Sequence, residues 1–497
     1  MLKKKDDTYN EGALKTYFDQ IKTIPLLSEM TVPISHRKSN SHNLPPYRRL
    51  NMKQTLILTI LLTLLLSTAC TNVGNRTETA YHEALKTEYS SGKLKEDFSR
   101  FRKILEEKTA GLYTDRDRLT AILDDAEAAI DKPMTELEFY RLLLPMVAEL
   151  RCGHSFLSVS EGMERYMKEE ARFFPLDVRI LENRLFVIND RYGTGIEAGT
   201  EILGINGRSS EEIIAALTSY MSTDGRDRGR PRYDAERWFA ALYFSHIEPS
   251  GSFDLTLTAP GTEEPATVYL AGVKDSSLAK TAQGVVFDTL DTPPSFAFRD
   301  GYALLEVPTF SLSSPRKFRK FLADFFAESS ERGTDTLVVD LRGNYGGSPA
   351  PTAALFAYLI DRPLPFFAKD NPFYLGPWKR AVKPEENAFT GELYFLVDEA
   401  GFSMNSFLLG LMKYHGIGTL VGSASSGGPV CSDASKNVKL RNTGLRLRYS
   451  SRVFRIAVEG METGIGIQPH ITVKQTLEDY LEGTDPVLKA ALKAAGE

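Results

Sequence analysis

The stretch VVDLRGNYGGS, from Val338 to Ser348, decides the fold, because an apolar strand-like run ends there in a glycine-rich turn. Glycine accepts positive φ and leaves backbone N–H groups uncovered, so such a turn can bind an anion. A phosphate-binding loop would need Gly-Lys-Ser/Thr after the turn, and this stretch lacks it. Two interpretations remain: an oxyanion hole for acyl transfer, or a structural turn between a strand and a helix.

Strand-like and helix-like segments alternate around this stretch. Beginning with a strand, they are 302–310, 314–330, 335–343, 350–360, 392–398, 403–415 and 419–422. Residues 484–497 are predicted to form an amphipathic helix after these segments. This alternation predicts an α/β core with a mostly parallel sheet.

A serine stands where the last helix of this series begins, in GFSMNSF, Gly401–Phe407. The apolar residues that follow recur at helical spacing, which buries the helix and leaves Ser403 in its first turn. Unsatisfied N–H groups at a helix start favour an oxyanion nearby. Ser403 is therefore either a nucleophile or only an N-cap.

Two smaller units are predicted before the core. Residues 94–155 show helical apolar spacing and a capping box, TELE, at Thr135–Glu138. Residues 172–273 show short strand patterns, with Asn206–Gly207 as a hairpin turn. The phrase GTEILGINGR resembles a PDZ domain; another small β-rich insertion is the alternative.

An export signal is predicted at residues 52–70, MKQTLILTILLTLLLSTAC. Its apolar run is too short to span the roughly 30 Å hydrocarbon core easily, and small residues lead to Cys70. The pattern favours a lipoprotein signal with lipid on Cys70 over a transmembrane anchor. We expect residues 1–51 to be absent from the mature protein, with Met52 as its true start, and residues 71–93 to be a tether. The expected location is the envelope of a Gram-negative-type bacterium, with a lipid-anchored protein in the periplasm or at the outer membrane.

Composition and charge exclude some classes of partner. The chain has 497 residues, of which 42% are apolar and 25% charged, as expected of a folded protein with two or three domains. A formal charge of -5 is too small to indicate nucleic acid or an anionic membrane surface as a partner. After Cys70 only Cys152 and Cys431 remain, so there is no disulfide framework, although a single bridge is possible.

Four motifs in this order carry a family resemblance: VVDLRGNYGGS, GFSMNSF, TLVGSASSGGP and GIGIQPHITV. Their order and spacing resemble the catalytic domain of the tail-specific or C-terminal processing serine peptidases, tricorn-like branch included, over roughly residues 140–490. The resemblance implies a crotonase/ClpP-type core at residues 284–497, a PDZ-like domain before it, and a serine acyl-transfer mechanism.

The resemblance also implies a nucleophile and a base. The family's serine falls on Ser403, whereas the lysine of its dyad branch would fall on Gly428, and Lys436 is displaced from that position. The branch without the lysine takes its base from a histidine in a Gly-His-Thr phrase, which CGHS matches at His154. A packing role for His154 is the alternative. The other histidines that could supply the base are His246, His415 and His470.

The resemblance places an orienting acid just ahead of GIGIQPH, with Glu462 as first candidate and Glu459 as second. Backbone N–H groups of Met404 and of Gly346 or Gly347 are expected to hold the oxyanion. Three departures from the family, at Gly153, Ser406 and His470, leave open an altered geometry, a different specificity or loss of catalysis. No organic cofactor or metal is predicted, because the histidines and cysteines show no ligand spacing.

The leading prediction is an exported serine endopeptidase that cleaves polypeptides. A non-catalytic peptide-binding lipoprotein of the same fold is the alternative, in which a peptide adds as a strand. An acyl-CoA enzyme is a third possibility, and export disfavours it. If His154 serves Ser403, the loops carrying Cys152 and Cys431 should line one cleft.

Overall fold

The structure is a computed structural model that describes residues 85–279 and 293–496. The predicted signal segment, Cys70 and most of the predicted tether lie outside these residues. All described residues belong to one compact unit, Gly74–Glu497. Among the described helices, none combines the length and the apolar character needed to cross a membrane.

A small helical unit comes first. Its elements are β1 (Glu88–Tyr89), α1 (Ser91–Glu107), α2 (Arg116–Ala129), β2 (Met134–Thr135), α3 (Glu136–Glu149), β3 (Phe156–Ser158) and α4 (Glu161–Glu169). The predicted capping box begins α3, where Thr135 and Glu138 each accept the other's backbone N–H. Helix α1 begins earlier than expected because the Ser90 carbonyl accepts the Leu94 N–H at 3.0 Å, adding a first turn of mostly polar residues.

A β-rich unit follows. Its elements are β4 (Asp177–Leu181), β5 (Arg184–Asn189), β6 (Glu201–Ile205), β7 (Arg208–Ser209), α5 (Ser210–Ser219), α6 (Gly229–Arg237), α7 (Phe239–Leu242), β8 (Ser252–Thr258) and β9 (Ala266–Ala271). The sheet is antiparallel, in the order β4-β5-β6-β8-β9, and β7 pairs with β6. The predicted turn joins β6 to β7, with φ of 51° at Asn206 and 78° at Gly207, as a type I′ hairpin requires.

The α/β core is built on a second sheet. Its first elements are β10 (Ser295–Phe298), β11 (Ala303–Glu306), α8 (Pro315–Glu331), β12 (Thr336–Asp340), α9 (Pro349–Leu359), β13 (Leu364–Pro365), α10 (Gly376–Lys379), β14 (Ala381–Val382), β15 (Glu392–Val397), α11 (Met404–His415) and β16 (Thr419–Gly422). The rest are β17 (Val430–Asp433), β18 (Lys436–Lys439), β19 (Arg446–Tyr449), β20 (Arg452–Arg455), β21 (Ile471–Thr472), α12 (Leu477–Glu482) and α13 (Pro486–Ala494).

The core sheet has the order β10-β11-β12-β15-β16-β21. Strand β10 pairs antiparallel with β11, and the other pairs are parallel, which confirms the predicted α/β class. Successive side chains of a strand face opposite sides of the sheet. Thus Leu337 and Val339 join the apolar cluster of α8, α9 and α11, while Val338 packs with α13 on the other face.

Two features of this topology place the site. Strands β12 and β15 are adjacent and parallel, so the glycine-rich turn after β12 and the loop carrying Ser403 after β15 meet at one sheet edge. Between β16 and β21 the chain leaves the sheet, and β19 pairs antiparallel with β3 of the helical unit. That pairing brings the segment after α3 to the core.

Candidate active site

Ser403 has a strained backbone, with φ 54° and ψ -122°. A residue with a Cβ rarely adopts this conformation, and such strain persists where the surrounding structure enforces it. Two residues later, the Asn405 side-chain amide donates to the Leu341 carbonyl at 3.2 Å and to the Asn344 carbonyl at 2.9 Å, which ties the start of α11 to the glycine-rich turn. The Ser403 hydroxyl makes no capping hydrogen bond to α11, so it does not act as an ordinary N-cap.

His154 lies opposite this serine, although 249 positions separate the two residues. Its Nε2 is 3.1 Å from the Ser403 Oγ, and its ring centroid lies 4.5 Å from that of Phe402. The next residue, Ser155, anchors the segment by accepting the Ser450 N–H at 3.0 Å, beside the β3–β19 pairing. The structure therefore brings together the two residues expected to be nucleophile and base.

The surroundings of His154 favour a neutral ring. Burial lowers the pKa of His154; the Asp433 carboxylate raises it, and the Arg230 and Arg448 guanidiniums lower it further. The side chain is only 9% exposed, so burial outweighs the single carboxylate. A neutral imidazole facing a hydroxyl can accept its proton.

The structure does not place Glu462, the expected orienting acid, beside His154. Glu462 is 63% exposed and pairs with Arg226 at 3.2 Å, because the loop turns its side chain to solvent. The carboxylate nearest the base belongs to Asp433, whose Oδ2 lies 3.8 Å from His154 Nε2. This carboxylate lies near Nε2, the same nitrogen that faces Ser403. It can therefore attract the imidazolium, but it does not stand behind the ring to orient it.

A second acid near His154, Asp224, was not predicted from the sequence. Its Oδ1 accepts the Gly153 N–H at 2.8 Å, one residue before the base, and its side chain is 2% exposed. Burial raises the pKa of Asp224 to about 7. No local pattern marks either Asp224 or Asp433, because each reaches the site through tertiary folding.

One of the expected oxyanion donors is already engaged. The Gly346 N–H donates to the Asn344 Oδ1 at 2.8 Å, so Gly346 shapes the site instead of binding there. A Cβ at Gly346 would lie 2.8 Å from the Met404 nitrogen and 2.9 Å from the Ser403 Cβ, which only glycine avoids. Gly347 forms a bridge with Phe310, but the hydrogen bonds of this bridge are made by the backbone groups of the residues on either side of Gly347. The Gly347 N–H therefore points away from Phe310. Within residues 85–279 and 293–496, the Gly347 and Met404 N–H groups donate to no other backbone carbonyl and remain candidates.

We expect replacement of Asn344 to loosen this turn. The side chain is fully buried, donates to the Val307 carbonyl at 2.8 Å and accepts the Gly346 N–H. Asn344→Ala leaves two buried backbone groups unpaired, which should lower the free energy of unfolding by about 2–4 kcal/mol. Urea denaturation measures this, with the exposed Asn437→Ala as control; equal stabilities of the two variants would contradict the assignment.

The rival bases lie elsewhere. Lys436 is exposed on β18. His246 is buried against Tyr140 and Ser245, and His470 accepts the Leu420 N–H through Nδ1 at 2.9 Å. Cys152 and Cys431 are both buried and free, yet Cys152 Sγ lies 3.6 Å from the Ser432 carbonyl, so the two loops do meet as expected.

Comparisons with known proteins find one family profile and several similar structures. The profile of peptidase family S41 matches residues 301–473, and no curated protein sequence matches the chain. A crystal structure of mature CPAF is similar to this chain with a TM-score of 0.60 and 18% identity, covering 81% of this chain and 96% of that one. Mature CPAF complexed with lactacystin gives a TM-score of 0.58 at 16% identity over 81% and 97%. The photosystem II D1 C-terminal processing protease gives 0.41 at 15% identity over 81% and 97%. The CPAF structures show a shared fold, and residues 301–473 match the profile of peptidase family S41, in agreement with the resemblance to tail-specific proteases that the motifs predicted.

Proposed function

We propose that this protein is a serine endopeptidase that hydrolyses polypeptides, with Ser403 as nucleophile and His154 as base. One observation supports this above all: a serine in a strained turn has its Oγ 3.1 Å from a buried imidazole nitrogen. A hydroxyl needs a base within about 2.6–3.2 Å to become an effective nucleophile.

The proposed steps follow from this geometry. The Ser403 Oγ attacks the scissile carbonyl carbon while its proton moves to His154 Nε2. The carbonyl oxygen becomes an oxyanion, for which the Gly347 and Met404 N–H groups are the available donors. The imidazolium, attracted by Asp433, then protonates the leaving amine, and water hydrolyses the acyl-enzyme with His154 again as base.

Hydrolysis of an unfolded polypeptide tests this proposal. The protein is incubated with reduced, carboxymethylated casein, and new peptide termini are identified by mass spectrometry. We expect internal cleavages that are absent with Ser403→Ala. Casein that is bound but never cleaved would favour the peptide-binding alternative over the peptidase.

Removing the carboxylate of Asp433 should slow the reaction. Asp433 is 38% exposed and 3.8 Å from the base, so after solvent screening we assign it about 1.4 kcal/mol of imidazolium stabilisation. We expect Asp433→Asn to lower kcat/KM about tenfold. Glu462→Gln is the matched control: it removes an exposed ion pair and should change kcat/KM less than about twofold. A larger loss in Glu462→Gln than in Asp433→Asn would overturn this choice of acid.

We also propose that the protein is exported and lipid-anchored through Cys70. The support is the sequence of residues 52–70, with its apolar run and small residues before the cysteine. Mass spectrometry of protein extracted from its native membrane should find an N-terminal diacylglyceryl-cysteine. Peptides from residues 1–51 in that preparation would contradict the proposed start.

The β-rich unit is proposed to be PDZ-like and to bind substrate as an added strand. Its antiparallel sheet, the turn at Asn206–Gly207 and the capped helix α5 support this.

A further inference from the structure

Three side chains of metal-ligand type lie together at the base of the active site. They are Cys152, His154 and Asp224, and one ligand atom from each lies within 4.8 Å of the others. Their exposed fractions are 7%, 9% and 2%, so the cluster is shielded from bulk water. The sequence did not suggest it, because Asp224 comes from a distant segment that folds against Gly153.

Two atoms of this cluster lack a well-formed hydrogen bond, although the nearby Ser432 backbone raises the pKa of His154 slightly against the effect of burial. In the described part of the chain, His154 Nδ1 and the Asp224 Oδ2 are buried and make no hydrogen bond of good geometry. The other atoms of these side chains are engaged, since His154 Nε2 faces Ser403 and the Asp224 Oδ1 accepts the Gly153 N–H. Buried polar atoms are normally paired, so these two atoms beside a thiol are candidates for a ligand.

The donor set suits one class of ion. A thiolate, an imidazole and a carboxylate are ligands that Zn²⁺ accepts in tetrahedral sites, at about 2.0–2.3 Å. One thiolate and one carboxylate balance the two positive charges of the ion, so the buried complex is neutral. Side-chain rotation must draw the ligand atoms together by up to about 1 Å to reach tetrahedral spacing.

We propose that Cys152, His154 Nδ1 and Asp224 bind Zn²⁺ or a similar borderline divalent cation, and that the bound ion switches off the Ser403–His154 pair. Only the inhibition rests on the proposed function; the binding of the metal does not. The thiol proton passes to solvent as the sulfur–metal bond forms, and no atom changes oxidation state.

Inhibition follows from the tautomer of the imidazole. A neutral ring that binds a metal through Nδ1 carries its one proton on Nε2. That nitrogen then donates to the Ser403 Oγ and cannot accept its proton. Metal binding and general-base function therefore exclude each other at this histidine.

Binding is tested in Ser403→Ala, where no catalysis intervenes. The reduced protein is titrated with Co²⁺, a spectroscopic substitute for Zn²⁺, and thiolate-to-cobalt charge transfer is recorded. We expect one equivalent to bind, and the band to be lost in Ser403→Ala/Cys152→Ala. The matched control is Cys431→Ala in the same background, which removes another buried cysteine and should keep the band. Asp224→Asn provides a second ligand variant if Cys152→Ala does not fold. Absence of stoichiometric binding overturns the metal site, whatever the activity.

Inhibition is tested by the rate at which a fluorophosphonate probe labels Ser403. With one equivalent of Zn²⁺ we expect labelling of the otherwise native protein to slow at least tenfold, and a chelator to restore it. In Cys152→Ala the ratio of rates with and without Zn²⁺ should be near one. Metal binding without slower labelling would overturn the inhibitory role. No labelling in the metal-free protein would instead contradict the proposed function and leave the Co²⁺ result to decide the site.

Discussion

Ser403→Ala is expected to abolish peptide hydrolysis, with kcat/KM falling by at least about 10⁴-fold. In the proposed mechanism the Ser403 Oγ forms the acyl-enzyme, and the strained turn holds this oxygen beside His154 Nε2. Hydrolysis of a fluorogenic polypeptide measures the loss, and circular dichroism checks that the fold is retained.

Ser406→Ala is the matched control for this variant. Ser406 lies on the same helix turn, but its hydroxyl donates to the Ser403 carbonyl at 2.8 Å instead of facing the histidine. We expect this variant to keep activity within about tenfold, since one neutral hydrogen bond contributes about 1 kcal/mol. Equal losses in the two variants would show that the turn, and not the Ser403 hydroxyl, is what the reaction needs.

His154→Gln should reduce kcat/KM by about 10³–10⁴-fold, the second-largest effect. Glutamine fills a similar space and can still bond to the hydroxyl, but it cannot accept a proton at neutral pH. The same hydrolysis assay measures it. The control is His415→Gln, which changes a histidine at the end of α11 far from Ser403. We expect the activity of this control to be close to that of the native protein. Unchanged activity in His154→Gln would remove the base assignment while leaving the nucleophile in place.

The core could be predicted from the sequence because the spacing of apolar residues within each strand or helix is visible in a short stretch of chain. Most observed ends lie within one or two residues of the expected ends for strands β12 and β15 and for helices α8, α9 and α11. Such agreement is expected because buried strands appear in the sequence as apolar runs. The meeting of the glycine-rich turn with Ser403 also follows from parallel pairing of two strands.

The partnership of Ser403 and His154 could not be derived from spacing. It depends on the β3–β19 pairing between segments almost 300 positions apart, and only the family resemblance pointed to it. The acid was mispredicted because the direction of the Glu462 side chain is a property of its loop conformation. Asp224 and Asp433 were missed because their proximity to His154 is purely tertiary.

The structure gives physical reasons for two departures from the family. A Cβ at Gly153 would lie 2.7 Å from the Phe402 ring and 2.9 Å from an Arg230 nitrogen, so a serine before this histidine would force both side chains to shift. A Cβ at Gly428 would lie 2.6 Å from the Ile465 carbonyl oxygen, so a lysine does not fit there. The contact at Gly428 therefore leaves no room for the lysine of the dyad branch.

The most direct test of the central claim is to locate the covalent adduct of a fluorophosphonate probe. The chelator-treated native protein is labelled, digested, and the modified residue identified by tandem mass spectrometry. The proposed chemistry predicts one adduct per chain, on Ser403, formed much more slowly in His154→Gln. A folded protein that forms no adduct, or forms it on another serine at a rate independent of His154, would contradict the claim that this pair is the catalytic machinery.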